Sequence, residues 1–79
     1  MQNLKNTILS VTRRTTKGFT VGEIFDRVEN RFVNNSVNPP AYSTVRARVY
    51  ELADSGLLTA NAVRKDTISN RVATTFVKS

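Results

Sequence analysis

The side chains best equipped for chemistry are concentrated in "YSTVRARVYELADSGLL", residues 42–58. Ser43, Thr44, Arg46 and Tyr50 supply hydroxyls and a guanidinium, groups that grip an anion or a polar edge rather than make or break bonds. The chain holds no cysteine and no histidine. Disulfides, the usual zinc ligands, thiol nucleophiles and imidazole bases are therefore excluded, and no enzymatic activity, metal or cofactor is expected. One other set has chemical potential: Glu23, Asp26 and Glu29 share a helix face at about 100° per residue. Three carboxylates on one face suit a hard cation, but a solvated helix exterior is the simpler reading, and none is expected to bind one.

Charge narrows the partner. Twelve Lys and Arg against six Asp and Glu leave a net +6, a balance that favours a polyanion. The charge is also segregated. Residues 1–22 contain Lys5, Arg13, Arg14 and Lys17 and no acid, the window from Phe32 to Tyr50 contains Arg46 and Arg48 and no acid, and the tail carries Arg64, Lys65, Arg71 and Lys78 against Asp66 alone. A binding face needs such segregation. No apolar run approaches the roughly 18 residues of a membrane span, and the N-terminal stretch lacks a signal-peptide core, so a cytoplasmic protein with no membrane partner is expected.

Elements that would position these groups follow from periodicity. At 79 residues the chain has room for one domain, 1–79, with one small core. Leu4, Ile8 and Val11 give a first amphipathic helix over about 3–14, with Arg13 and Arg14 complementing its dipole. Thr20 and Glu23 have the spacing of a capping box, so helix two is expected over about 20–33. Its apolar stripe is Val21, Ile24, Phe25, Val28 and Phe32, with Phe19 at the staple position. The Asn- and Pro-rich segment 33–42 reads as a loop. Helix three is expected over 43–55, capped by Ser43 in preference to Asn38 before Pro39, and ended by Gly56 in a left-handed cap.

In that third helix Val45, Val49, Leu52 and Ala53 form the inner stripe. Ser43, Ala47 and Tyr50 then lie outside with Thr44 and Arg46 beside them, while Arg48 falls nearer the buried side and suits a neighbouring acid or a phosphate at the edge. The remaining residues, about 57–77, alternate as a β-hairpin with a basic tip. Two strands are marginal in water, so the hairpin is expected to lean on the helices through some of Leu58, Val63, Val72 and Phe76, and Leu57 and Leu58 are expected in the core.

The order helix, helix, loop, helix, basic hairpin resembles the winged helix-turn-helix superfamily of small bacterial and phage regulators. "STVRARVYELADSGLL" is similar to the third helix and following strand of that superfamily, "FTVGEIFDRV" to its second helix, and "RVATTFVK" to the return strand of its wing. The resemblance covers nearly the whole chain, except that the connection "VNNSVNPPAY" is longer than the usual turn. It implies an α+β, mainly α fold: a three-helix winged helix-turn-helix with a C-terminal β-hairpin wing.

It also implies roles. Ser43 and Thr44 would bond phosphate or a base edge, Arg46 would read guanine, Ala47 would approach a thymine methyl, and Tyr50 would bond phosphate. Arg64, Lys65 and Arg71 would be wing contacts, with Arg13, Arg14, Lys17 and Arg48 as candidate backbone contacts. The expected partner is double-stranded DNA and the expected role transcriptional regulation, nucleoid-associated when bound. One recognition helix reads few base pairs, so a homodimer or recruitment by another DNA-bound protein is expected. The rival expectation is a winged-helix adaptor or small inhibitor of a partner enzyme, because fold alone does not fix function. RNA is a weaker third, since no pair of exposed aromatics makes a stacking platform.

Overall fold

The computed structural model describes residues 4–12, 18–68 and 70–78. Three helices, α1 (Leu4–Val11), α2 (Val21–Asn34) and α3 (Tyr42–Asp54), pack with three strands, β1 (Phe19–Thr20), β2 (Leu58–Lys65) and β3 (Val72–Lys78). The strands form one antiparallel sheet in the order β1-β3-β2. The fold is α+β.

Each helix buries the stripe its spacing dictates. Ile8 and Val11 of α1, Val21, Ile24, Val28 and Phe32 of α2, and Val45, Val49 and Leu52 of α3 meet in one cluster, closed from the sheet side by Leu58 and Phe76. The hairpin therefore leans on the helices through Leu58 and Phe76. Val63 and Val72 were candidates for the same role; they lie on the face of the hairpin that carries Phe76, but out towards its tip, 64% and 72% exposed. Leu57 was also expected inside; following the left-handed Gly56, it is turned outward and is half exposed.

Both long helices stop by the same device. After α2, Ser36 N–H donates to the Val33 carbonyl and Val37 N–H to the Phe32 carbonyl; after α3, Gly56 N–H donates to Ala53 and Leu57 N–H to Leu52. These paired bonds are the Schellman pattern, which requires a left-handed residue at its centre. Gly56 supplies it at φ 82° and Ser36 at φ 57°. Helix two thus runs one residue past the expected 33, and the loop shortens to residues 35–41.

The start of α3 is a correction. Neither Ser43 nor Asn38 caps it; the N-cap is Ala41, extended at φ −70°, ψ 154°, and it makes no side-chain cap bond. Pro40 has φ fixed by its ring, and Pro39 is barred from helical geometry by the proline that follows it, so the chain leaves the pair extended. The Ala41 carbonyl then accepts from Thr44 and Val45 N–H. Ser43 consequently lies within the first turn, exposed.

At the other end of the chain order, α1 closes at Val11, short of the expected 14. Thr12 hydroxyl, fully buried, folds back onto the Ile8 carbonyl at 2.7 Å. Residues 13 and 14 lie outside the described residues. The two-residue strand β1, unforeseen because Phe19 and Thr20 read as staple and cap, adds to β3 with Phe19 opposite Phe76 and Thr20 opposite Thr75.

The β2–β3 ladder carries one extra residue. Ala60 pairs with Phe76 and Ala62 with Thr75, leaving Asn61 as a bulge. Buried Thr75 repairs the break: its hydroxyl accepts from Ala62 N–H and donates to the Ala62 carbonyl, both at 3.1 Å. Gly18, at φ 68°, passes so close that a Cβ would lie 3.1 Å from both Thr75 Cβ and the Phe76 carbonyl oxygen.

Serine at a left-handed helix terminus carries a steric cost of about 1 kcal/mol that glycine does not. The variant Ser36→Gly is expected to raise stability by about 0.5 kcal/mol after the added unfolded-state freedom is subtracted. Urea unfolding measures it, and a loss of stability would contradict this reading of the α2 terminus.

Candidate nucleic-acid interface

The hairpin is fastened to the first turn of α2 by a compact set of polar groups. Thr20 and Glu23 form the expected capping box, with Glu23 N–H donating to Thr20 Oγ1 and Thr20 N–H to Glu23 Oε1. Both side chains also reach the hairpin. Thr20 Oγ1 donates to Asp66 Oδ1 at 2.9 Å, a bond buried from water. Glu23 Oε1 accepts from Arg64 Nη2 at 2.6 Å, and Oε2 accepts from Arg64 Nη1 at 2.8 Å and Thr67 Oγ1 at 2.9 Å. This two-pronged guanidinium–carboxylate geometry is the strongest form of the pair.

Space at the junction is tight. A Cβ on Gly22 would come within 2.4 Å of Asp66 Oδ2, so only glycine lets the buried carboxylate settle on the positive end of α2. Asp66 in turn shapes the tip: its Oδ1 accepts from Ile68 N–H, its own N–H donates to the Arg71 carbonyl, and its carbonyl accepts from Asn70 N–H.

Two expectations change here. Glu23 was placed on the wet face with Asp26 and Glu29, yet its side chain is only 11% exposed beneath the hairpin. Arg64 was expected as a wing contact, and its guanidinium is instead occupied: besides Glu23 it donates to the Gly18 and Lys65 carbonyls. Its Nε is buried with no partner, so the terminal nitrogens are satisfied at the cost of the inner one. Arg64 positions the hairpin. The Arg64 hydrogen bonds foremost, with Thr67 and the Thr20 backbone assisting against the opposing effect of burial, hold the Glu23 carboxyl down at about 2.

The outer face of α3 is arranged differently. Ser43, Arg46, Ala47 and Tyr50 are exposed and Thr44 is half-buried beside them. Arg46 lies over the Tyr50 ring, 5.0 Å from its centre, and that ring meets Phe76 of β3 edge-on at 5.7 Å. A cation over an aromatic face is held by the ring quadrupole while its N–H edges stay available. Tyr50 thereby has a structural reason that its position on the helical wheel did not disclose: it links Arg46 to the core. Arg48 is half-buried and pairs with Glu51, the neighbouring acid its wheel position suggested. Glu51 also receives Lys5 of α1 at 3.2 Å, and Lys5 first, then Arg48, keep its carboxyl below the usual range.

Lys65 and Arg71, both exposed, flank the hairpin tip. Neither they nor Arg46 form an ion pair among the described residues. The candidate contacts Arg13, Arg14 and Lys17 lie outside the described residues. Among the described residues no three of His, Cys, Asp or Glu come together as a metal site, and no helix is long and apolar enough to cross a membrane. Set against models of protein families, curated proteins and solved structures, the chain has no match in any of the three.

The depressed Glu23 carboxyl makes the junction acid-sensitive. A folded-state value below the unfolded one stabilises above the ordinary carboxylate value and is lost as pH falls from 4.5 towards 2. The contribution near neutral pH is at most about 3 kcal/mol. Glu23→Gln is expected to lower stability by about 2 kcal/mol near neutrality and to flatten the acid limb of the stability profile. Parallel wild-type and variant profiles across that window would refute the assignment.

Proposed function

We propose that the chain is a non-enzymatic, sequence-specific double-stranded DNA-binding protein of the winged helix-turn-helix type, acting as a transcriptional regulator in the cytoplasm. The element order α1-β1-α2-α3-β2-β3 and the sheet order β1-β3-β2 are compatible with that layout. The observation that carries the reading is the outer face of α3: acid-free through Tyr50, with Arg46 seated on a fixed ring and, among the described residues, its guanidinium free of carboxylates.

On this reading α3 enters the major groove. Arg46 forks onto guanine O6 and N7, Ala47 permits close approach, and Ser43, Thr44 and Tyr50 bond phosphate or base edges. The first turn of α3 has no side-chain cap, so its free N–H groups are open to a phosphate. Lys65 and Arg71 at the hairpin tip touch the adjacent backbone or minor groove. Arg64 acts indirectly by holding the hairpin at its angle. With one short reading helix, a homodimer or a second DNA-bound protein supplies the rest of the specificity.

A second reading has an observation of its own. The hairpin, towards its tip, shows Val63, Val72 and Ile68, each at least 60% exposed. Isolated exposed apolars are ordinary, but three on one hairpin suit a protein partner, as an adaptor or inhibitor would need.

Duplex selection followed by salt titration separates the two. If DNA is the target, log affinity falls linearly with log salt by about 0.9 for each phosphate neutralised, Lys65→Ala and Arg71→Ala each reduce that slope by about 1, and Arg46→Ala costs about 1 to 3 kcal/mol of discrimination. Affinity insensitive to salt and to all three changes, with a partner lost on Val63→Ser and Val72→Ser, would establish the adaptor instead.

A further inference from the structure

On the side of the molecule away from α3 a second basic feature has no role in the reading above. The three helices all touch one another, so the groove between α1 and α2 faces away from the third. A cleft of about 200 Å³ lies in that groove, lined by Ser10, Val11, Arg27, Asn30, Arg31 and Asn34. Its α2 wall is made of donor side chains, and its lining includes no acid.

Both arginines are held. Arg31 Nη1 donates to Ser10 Oγ across the groove at 3.2 Å, while that hydroxyl donates to the Thr7 carbonyl. Arg27 lies over the Phe19 ring, its guanidinium carbon 4.5 Å from the centre, a contact that holds the cation while its N–H groups stay available. Neither forms an ion pair among the described residues. They stand four residues apart on one helix face, where like charges repel. Arg31 has no acid three or four residues away on either side. Arg27 has Glu23 four residues before it, but that carboxylate is turned onto Arg64 and Thr67.

We propose that this cleft is an anion site for a phosphoryl group. Two guanidiniums and two amides on α2 supply the donors, while the Ser10 hydroxyl on α1, its proton committed to the Thr7 carbonyl, holds Arg31 across the groove. A tetrahedral phosphate offers oxygens to donors in several directions, whereas a carboxylate offers two in one plane. The volume is below the roughly 300 Å³ of a drug-sized pocket, which fits one phosphoryl group and not a whole nucleotide. Its source is either a free phosphate or monoester, or the backbone of a nucleic acid duplex. The site stands independently of the α3 face.

The test is a titration of isotope-labelled protein at constant ionic strength, read on the side-chain signals of Arg27, Asn30, Arg31 and Asn34. Separate arms use inorganic phosphate, acetate, and a short duplex added to an Arg46→Ala, Lys65→Ala, Arg71→Ala variant. Saturable shifts with phosphate or duplex, absent with acetate, are expected. Phosphate alone identifies a free ligand, and the duplex identifies backbone phosphate. Arg27→Gln with Arg31→Gln should weaken binding at least about tenfold, and Ser10→Ala, which releases Arg31 without changing charge, should weaken it less. Equal response to acetate, no saturation in either phosphate arm, or an unaffected, folded double variant would overturn the proposal.

Discussion

The first turn of α2 is where the helices and the hairpin become one object. Thr20 and Glu23 would be occupied in any helix by satisfying free backbone N–H groups, yet here each has a second polar function aimed at the hairpin: the Thr20 hydroxyl donates to Asp66 and the Glu23 carboxylate accepts from Arg64 and Thr67. Two residues therefore fix both where a helix begins and the angle at which a distant hairpin stands. The cost is high local specificity. Gly22 must lack a side chain, Asp66 must be hydrogen-bonded in a nearly dry place, and an Arg64 nitrogen is left without a partner. A half-satisfied buried network is worse than an apolar one, so each remaining member is held to its geometry by the others.

This junction divides the basic residues by task. Arg64 and Arg48 belong to the architecture through Glu23 and Glu51. Among the described residues Arg46, Lys65 and Arg71 are not engaged by acids, and the packing that positions them is aromatic or backbone in kind. A net positive charge is consequently a poor guide to the contact surface, since part of it is internal bracing. The useful quantity is the charge left over after the carboxylates have chosen their partners.

The helices could be read from the sequence because their information is local. The capping box at Thr20 and Glu23, the apolar stripes, the left-handed Gly56 and the outward face of α3 all depend on residues within a few positions of one another. What could not be read lies across longer separations. Nothing near Glu23 announces Arg64, 41 residues away, and a carboxylate at the third helical position already had a sufficient local explanation. Tyr50 looked purely functional until β3 brought Phe76 beneath it. The start of α3 failed for another reason: Ser43 has the right chemistry for a cap, but the two prolines dictated the backbone and placed an alanine there. Conformational restriction outweighed a hydrogen bond worth about 1 kcal/mol.

The bulge at Asn61 bears on how the molecule behaves in company. β2 forms the outer edge of the sheet, and a straight edge strand offers its spare N–H and carbonyl groups to any other strand that drifts alongside. An inserted residue breaks that regular spacing and bends the strand, while Thr75 supplies from within the bonds that the break removes. The same hydroxyl that repairs the ladder internally thus lets the border stay irregular externally. An edge that is a poor template for neighbours keeps copies of the chain, when crowded, from joining strand to strand into fibrils.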